Sequence, residues 1–253
     1  MVPLRSRAHL ETLLQQRRLD RTIAGRMPAV ARLATGVPEL DARLEGGVPR
    51  GHVSEVIGPR SSGRSRLLLT LLAAATQRGD VAAWIDTLDR GDPALAAAAG
   101  VRLSQVLWVR GMALSPGELA LRPSRDAEAA DLVGLAVQRA LKAATLVTQA
   151  GGFGLVALDL CDIPAAALRQ LPASTWMRLH RLVEGREVAL VLFAAQPLTR
   201  SAQGLSVRLQ ATPRWEGDSA RQRRLEALAT TCDVHSARRP LAVPVAARVA
   251  RAG

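Results

Sequence analysis

The segment Gly58-Pro59-Arg60-Ser61-Ser62-Gly63-Arg64-Ser65 has the spacing of a phosphate-binding loop: a glycine-bounded turn that delivers a basic side chain and a hydroxyl to the start of a helix. In such a loop the backbone N–H groups and the helix N-terminus cradle a phosphate. The basic side chain reaches the outer phosphates, and the hydroxyl, here Ser65, faces Mg2+. The basic residue is Arg64, where this chemistry uses lysine. A guanidinium is planar and forked and does not fill the slot of a compact ammonium, so the loop is expected to bind nucleotide weakly and hydrolyse it poorly. The second half of the site is Asp159, at the carboxyl end of the apolar run Phe153 to Leu158. A carboxylate there can hold Mg2+ or its water shell together with Ser65.

Composition supplies a rival account of Arg64. Of 34 basic residues only Lys142 is a lysine, and there is no tyrosine; such a bias suggests a general drift toward arginine. A lysine essential to chemistry should resist drift better than a surface lysine, which favours impaired hydrolysis over harmless replacement. Cys161 and Cys232 lack CxxC or His/Cys spacing and read as buried free thiols. His9, His52, His180 and His235 are equally scattered and are assigned no chemistry.

The loop and the carboxylate need a scaffold, and 253 residues with 48% apolar content suffice for one α/β domain with extensions, or two small domains. The apolar runs are too short or interrupted to span a bilayer, and Met1 to Asp20 is charged without a hydrophobic signal region. A cytoplasmic, nucleoid-associated protein with no membrane partner is expected. The pattern then alternates. A strand at Val53 to Ile57 leads into the loop and a helix from Ser65 to Gln77. A strand at Val81 to Ile85, a short helix opened by Asp92-Pro93, a strand at Val106 to Val109 and a long helix from about Ser124 to Gln149 follow. After the Asp159 strand come a helix around Ser174 to Val183 and a strand at Val188 to Phe193, which Gln196 follows. These apolar strands suit a parallel sheet covered on both faces. Leu205 to Ala211 and Arg223 to Thr231, across a turn at Pro213 to Asp218, read as an antiparallel extension, with a helix as the alternative for the second piece.

The net charge of +12 is concentrated at the two ends: residues 1–32 and 199–253 are strongly basic, and the middle is almost neutral. Basic flanks fit contact with nucleic acid or an acidic partner, and equally fit solvated, arginine-biased ends. Aromatic residues for base stacking are few, with Trp176 and Trp215 the candidates outside expected strands. The organisation is therefore a basic N-terminal helix and linker (1–32), a core (33–235) and a basic, flexible tail (236–253). In that tail Arg238, Arg239, Arg248 and Arg251 are the candidate contacts for a partner or DNA.

The order of several runs resembles the bacterial recombinase family RecA. These are Thr35-Gly36 with Leu40-Asp41, Gly46-Gly47-Val48-Pro49-Arg50-Gly51, the phosphate loop, Ile85-Asp86 with Asp92-Pro93, Asp159, Phe193 with Gln196, and Ser206-Val207-Arg208-Leu209. The resemblance implies a RecA-like P-loop core in which the loop holds phosphates, Ser65 and Asp159 manage Mg2+, and Gln196 relays nucleotide state to a DNA-binding loop. Where the family places the glutamate that activates water, this chain has Leu88; Asp89 is adjacent but one residue out of phase. Only Pro197 to Gly204 stand where recombinases carry a long glycine-rich DNA loop, and thirteen residues follow Pro240. With these losses the chain is similar to the ImuA family of RecA-like accessory proteins in damage-induced mutagenesis. That resemblance implies no required cofactor, at most weak ATP and Mg2+ binding, and absent or weak hydrolysis. It also implies partners of the ImuB type (a Y-family polymerase homologue) and the DnaE2 type, with RecA and DNA as further candidates. An active ATP-dependent recombinase paralogue and a SulA-type division inhibitor are the alternatives. A loop built from backbone groups also predicts that Arg64→Ala leaves folding nearly intact.

Overall fold

A computed structural model describes residues 31–119, 127–199, 204–216, 224–236, 239–241 and 247–248. The N-terminal helix expected before residue 31 lies outside them. The structure is α/β. A two-stranded ribbon, β1 (Arg32–Leu33) with β2 (Val48–Pro49), brackets helix α1 (Pro38–Arg43). Thr35 ties the ribbon to that helix, donating from its amide and hydroxyl to Asp41 Oδ1, both at 2.7 Å.

The main sheet contains the strands β3 (Val53–Ile57), β4 (Ala82–Asp86), β5 (Val106–Arg110), β6 (Leu155–Asp159), β7 (Ala189–Ala194), β8 (Leu205–Glu216) and β9 (Arg224–Ser236). Two short strands, β10 (Arg239–Leu241) and β11 (Ala247–Arg248), join it on β9. The order is β10-β9-β8-β3-β7-β6-β4-β5; β8 through β5 run parallel, and β9 to β11 supply the antiparallel side. The expected extension is thus present, and its second piece is strand rather than helix, because Leu205 to Glu216 offers it a ladder partner along nearly its whole length. The turn expected at Pro213 is instead strand, with a register shift at Arg214/Trp215. Pro213 is tolerated because β3 pairs only with Ser206 to Arg208, so no second neighbour needs the missing N–H.

Period-two alternation sends strand side chains to two separate cores. In β6, Leu155 and Ala157 pack with helix α2 (Arg64–Gln77), through Leu68, Leu71, Leu72 and Ala75. Val156 and Leu158 pack on the other face against α5 (Ala127–Ala150) and α7 (Ala173–Val183). Helix α5 presents Val133, Val137, Ala140, Ala144 and Val147, a helical stripe. Three shorter helices, α3 (Pro93–Ala98), α4 (Pro116–Leu119) and α6 (Ala165–Arg169), fill the connections. Trp176 is part of the α7 core and 6% exposed, so it is no stacking platform; Trp215, 54% exposed, remains one. Among the described residues no helix is long and apolar enough to cross a membrane. The cysteines are free thiols. Cys232 is buried, with a pKa pushed up to about 11, while Cys161 is only half-buried and is raised further by burial, so neither ionises at neutral pH. The ladder continues past the expected core boundary at 235: β10 and β11 carry Arg239 and Arg248 on strands, while Arg238 and Arg251 lie outside the described residues.

Candidate functional site

Parallel strands that end together leave a crevice at their carboxyl ends, where ligands of such sheets collect. Here β3, β4 and β6 end in the phosphate loop, Asp86 and Asp159 around a cleft of about 300 Å3. The loop is suspended from the sheet by a Gly58 N–H to Ala194 carbonyl bond of 3.2 Å, and it turns through a Ser62 N–H to Pro59 carbonyl bond of 3.2 Å. Gly58 must lack a side chain, because a Cβ there would sit 2.7 Å from the Leu209 carbonyl oxygen. Gly63 precedes α2 with φ +96, a left-handed conformation that favours glycine. Ser61 also sits at φ 62, backbone strain of the kind that gathers at ligand clamps. Ser62 is 1% exposed and its hydroxyl has no partner, the mark of a loop shaped around a group it does not itself supply. Ser65 lies exposed at the cleft, and Asp159 lines it from the opposite wall. The loop geometry fits phosphate, and Ser65 and Asp159 are the residues that would face its metal ion.

Arg64 lines the cleft, and its guanidinium is held to the turn after β6. It is 5% exposed, and its Nη1 donates to the Cys161 carbonyl at 3.0 Å. The guanidinium therefore fastens α2 to the turn after β6, a structural task a loop of backbone groups alone would not need. This bond argues against the expectation that the side chain is dispensable for folding. Asp159 accepts the Cys161 N–H at 2.9 Å. Burial holds its carboxyl above the ordinary range, Asp86 pushes the same way, and the Cys161 hydrogen bond and Arg64 offset part of the rise. Among the described residues no group of three or more His, Cys, Asp or Glu side chains could hold a metal ion.

Other acidic groups around the cleft are engaged as well. Asp86, 2% exposed, accepts from the backbone N–H of Arg90 at 3.0 Å and of Gly91 at 2.7 Å, and from Trp108 Nε1 at 3.3 Å. Asp92 caps α3, accepting from the amides of Ala94 and Leu95. Asp162 lies between Arg60 and Arg90. Asp89, at φ 54, turns outward to a two-point pair with Arg110 at 2.6 and 2.8 Å, which holds its carboxyl below the usual range. It does not line the cleft, whereas Leu88, 5% exposed, does.

Gln196 is not brought to this cleft. It is exposed, accepts from Arg169 Nη1 at 3.2 Å, and lines a separate apolar groove with Trp176 and Met177. Sequence reasoning missed what governs the connection after it. The buried carboxylate of Glu55 in β3 takes the N–H groups of Leu198 at 3.0 Å and Thr199 at 3.2 Å, and Ser54 Oγ takes that of Leu205 at 3.2 Å. A glutamate inside an otherwise apolar central strand was the available signal. Also missed was the stack of Trp84 on Trp108, 4.9 Å between centroids and 4° between planes, which backs Asp86.

Residues 21–122 match the model of the RecA N-terminal domain. The protein RecA of Prochlorococcus marinus is 44% identical over 78 residues, which is 31% of this chain and 21% of that relative. That of Chloroflexus aggregans is 43% identical over 86 residues, 34% of this chain and 24% of the relative. The matching stretch thus spans less than a quarter of these curated relatives, and over it the chain is RecA-like.

Proposed function

We propose that this chain is a RecA-like accessory protein of DNA-damage-induced translesion synthesis, a holder of partners rather than a nucleotide-hydrolysing recombinase. The observation that carries the reading is the commitment of the carboxylates at and beside the cleft. Leu88 accepts no proton, Asp89 is turned out to Arg110, and Asp86, Asp92 and Asp162 are hydrogen-bonded or ion-paired. Asp159 accepts the Cys161 N–H. A water molecule beside a bound phosphate therefore meets Leu88 where a glutamate base would stand, and carboxylates already engaged by neighbouring donors. The short connection from β7 to β8, fastened by Glu55 and Ser54, supports the same reading, since a strap tied at both ends is ill suited to pairing DNA strands.

The partners that fit are an ImuB-like Y-family polymerase homologue and a DnaE2-type polymerase, with RecA and DNA as secondary contacts through the basic flanks, including Arg238, Arg239, Arg248 and Arg251. Phosphate release in the presence of single-stranded DNA should stay at background, while the two polymerases are retained by the chain in a pull-down with purified components. DNA-stimulated turnover that disappears in Asp159→Ala would instead establish the recombinase paralogue, a reading favoured by the placement of Ser65 and Asp159 on one cleft.

A further inference from the structure

We propose that Arg60 and Arg90 form a clamp for an oligophosphate at the mouth of the cleft, that Asp162 is its built-in counter-ion, and that the clamp works without a divalent cation. The inference rests on the phosphate-loop reading above and names the anion and the gate of that site. The three residues come from three different strand ends: Arg60 from the loop after β3, Arg90 from the turn after β4, and Asp162 from the turn after β6. Asp162 Oδ1 is 3.7 Å from Arg60 Nε, and its Oδ2 is 3.4 Å from Arg90 Nη1. One carboxylate thus bridges two guanidinium groups across the opening.

The bridge is also a partition. Arg60, Arg90 and Asp162 line the phosphate-loop cleft of about 300 Å3 and, on their other side, a cavity of about 360 Å3 that reaches Leu119 and Ala195. Swinging the two arginines apart joins these spaces into one trough running from the loop across the strand ends. The swing costs little for Arg60, whose side chain is 80% exposed; Arg90, 39% exposed, must also release a long 3.4 Å bond from its Nη2 to the Leu114 carbonyl, and both ion-pair distances are long. Pairs of this kind contribute little stability. An oligophosphate carries more charge than one carboxylate and offers oxygens that a guanidinium fork can take two at a time, so it outcompetes Asp162.

The third arginine of the cleft, Arg64, has its Nη1 committed to the Cys161 carbonyl and sits deeper than the clamp. Two guanidinium groups supply the neutralisation that Mg2+ ordinarily gives to adjacent phosphates. Inside the cleft a second, independent feature awaits a ligand: Trp84 lines it, is 5% exposed, and its indole N–H has no partner.

Isothermal titration of the full chain with inorganic tripolyphosphate and with ATP, each in EDTA and in Mg2+, tests the clamp. Asp162→Asn should tighten binding by about threefold to tenfold, the loss of two weak internal pairs. Arg90→Gln should weaken it by about tenfold, the scale of one charge-assisted contact to phosphate, and Mg2+ should not improve either. Equal shifts for the two anions identify phosphate as the ligand, and shifts seen with ATP alone assign the clamp to nucleotides. Binding that requires Mg2+, or an Asp162→Asn affinity equal to the parent's, overturns the clamp while leaving a phosphate loop intact. If neither anion binds the parent or Asp162→Asn, with both melting alike, the phosphate-loop reading falls with it.

Discussion

Replacing Arg64 by methionine keeps an unbranched, flexible stem and removes the guanidinium with its charge and its donors. The structure assigns that side chain one hydrogen bond, to the Cys161 carbonyl at 3.0 Å, in surroundings where the residue is 5% exposed. A bond from a charged donor contributes about 1.5–3 kcal/mol. Two further effects act in opposite directions: the fold no longer desolvates a cation, and Asp159 loses an attractive neighbour. Methionine retains the packing of the stem, so a net loss of about 2 kcal/mol is expected. For a chain of this length each kcal/mol moves the melting temperature by roughly 2–4 °C, giving a fall of about 4–8 °C. Circular dichroism melts at neutral pH measure it. The double variant Arg64→Met with Asp159→Asn then separates the causes. A smaller penalty in the Asp159→Asn background means the cation acts on that carboxylate, and an equal one means it acts on the carbonyl. A parent-like melting curve for Arg64→Met would refute the assignment of Arg64 as the fastener between α2 and the turn after β6.

Because burial raises Asp159, its contribution to stability is fully present below the ordinary carboxylate range and is lost as pH rises through the raised value. Asp159→Asn, which can still accept the Cys161 N–H, should therefore raise the melting temperature at pH 7 to 8 and leave it unchanged in acid; destabilisation at pH 8 counts against this. Glu55→Ala strands two backbone donors and should cost about 2–4 kcal/mol, with faster hydrogen exchange at Leu198 and Thr199, whereas Glu55→Gln preserves an acceptor and both readouts. Arg64→Lys alone should leave phosphate release at background because Leu88 remains; adding Leu88→Glu supplies a base and should raise release by on the order of tenfold or more. Turnover already present in Arg64→Lys would show that Leu88 is not limiting.

The strands were legible because each is a short apolar run, and the phosphate loop because its glycines and hydroxyls fall at fixed spacing. Asp159 was legible for the same reason: a carboxylate at the end of a buried strand stands out. Illegible were the relations that only the closed sheet creates. Nothing in the spacing of Arg64 and Cys161 says that one caps the other's carbonyl, or that Asp162 stands between Arg60 and Arg90. Gln196 was carried to the phosphate site by its position after β7, yet its side chain meets Arg169 on α6 instead. The strand β9 was ambiguous because its alternation is weak, and pairing with β8 decided it. Asp86 was quoted for resemblance, while its role as acceptor for three N–H groups depends on the turn to Gly91 and on Trp108 in the neighbouring strand.

The place of β3 in the sheet sets a clock on biosynthesis. Both of its neighbours arrive late: Val53 pairs with Leu190, and Glu55 with Ser206. At about 5–20 residues per second a ribosome needs on the order of ten seconds to deliver them after β3 has emerged. Throughout that interval Val53 to Ile57, buried along its whole length in the finished protein, has no partner strand. The segment that bears the phosphate loop is therefore closed on both sides only once β8 has emerged, and a nascent chain stalled short of β7 exposes an apolar strand to its chaperones.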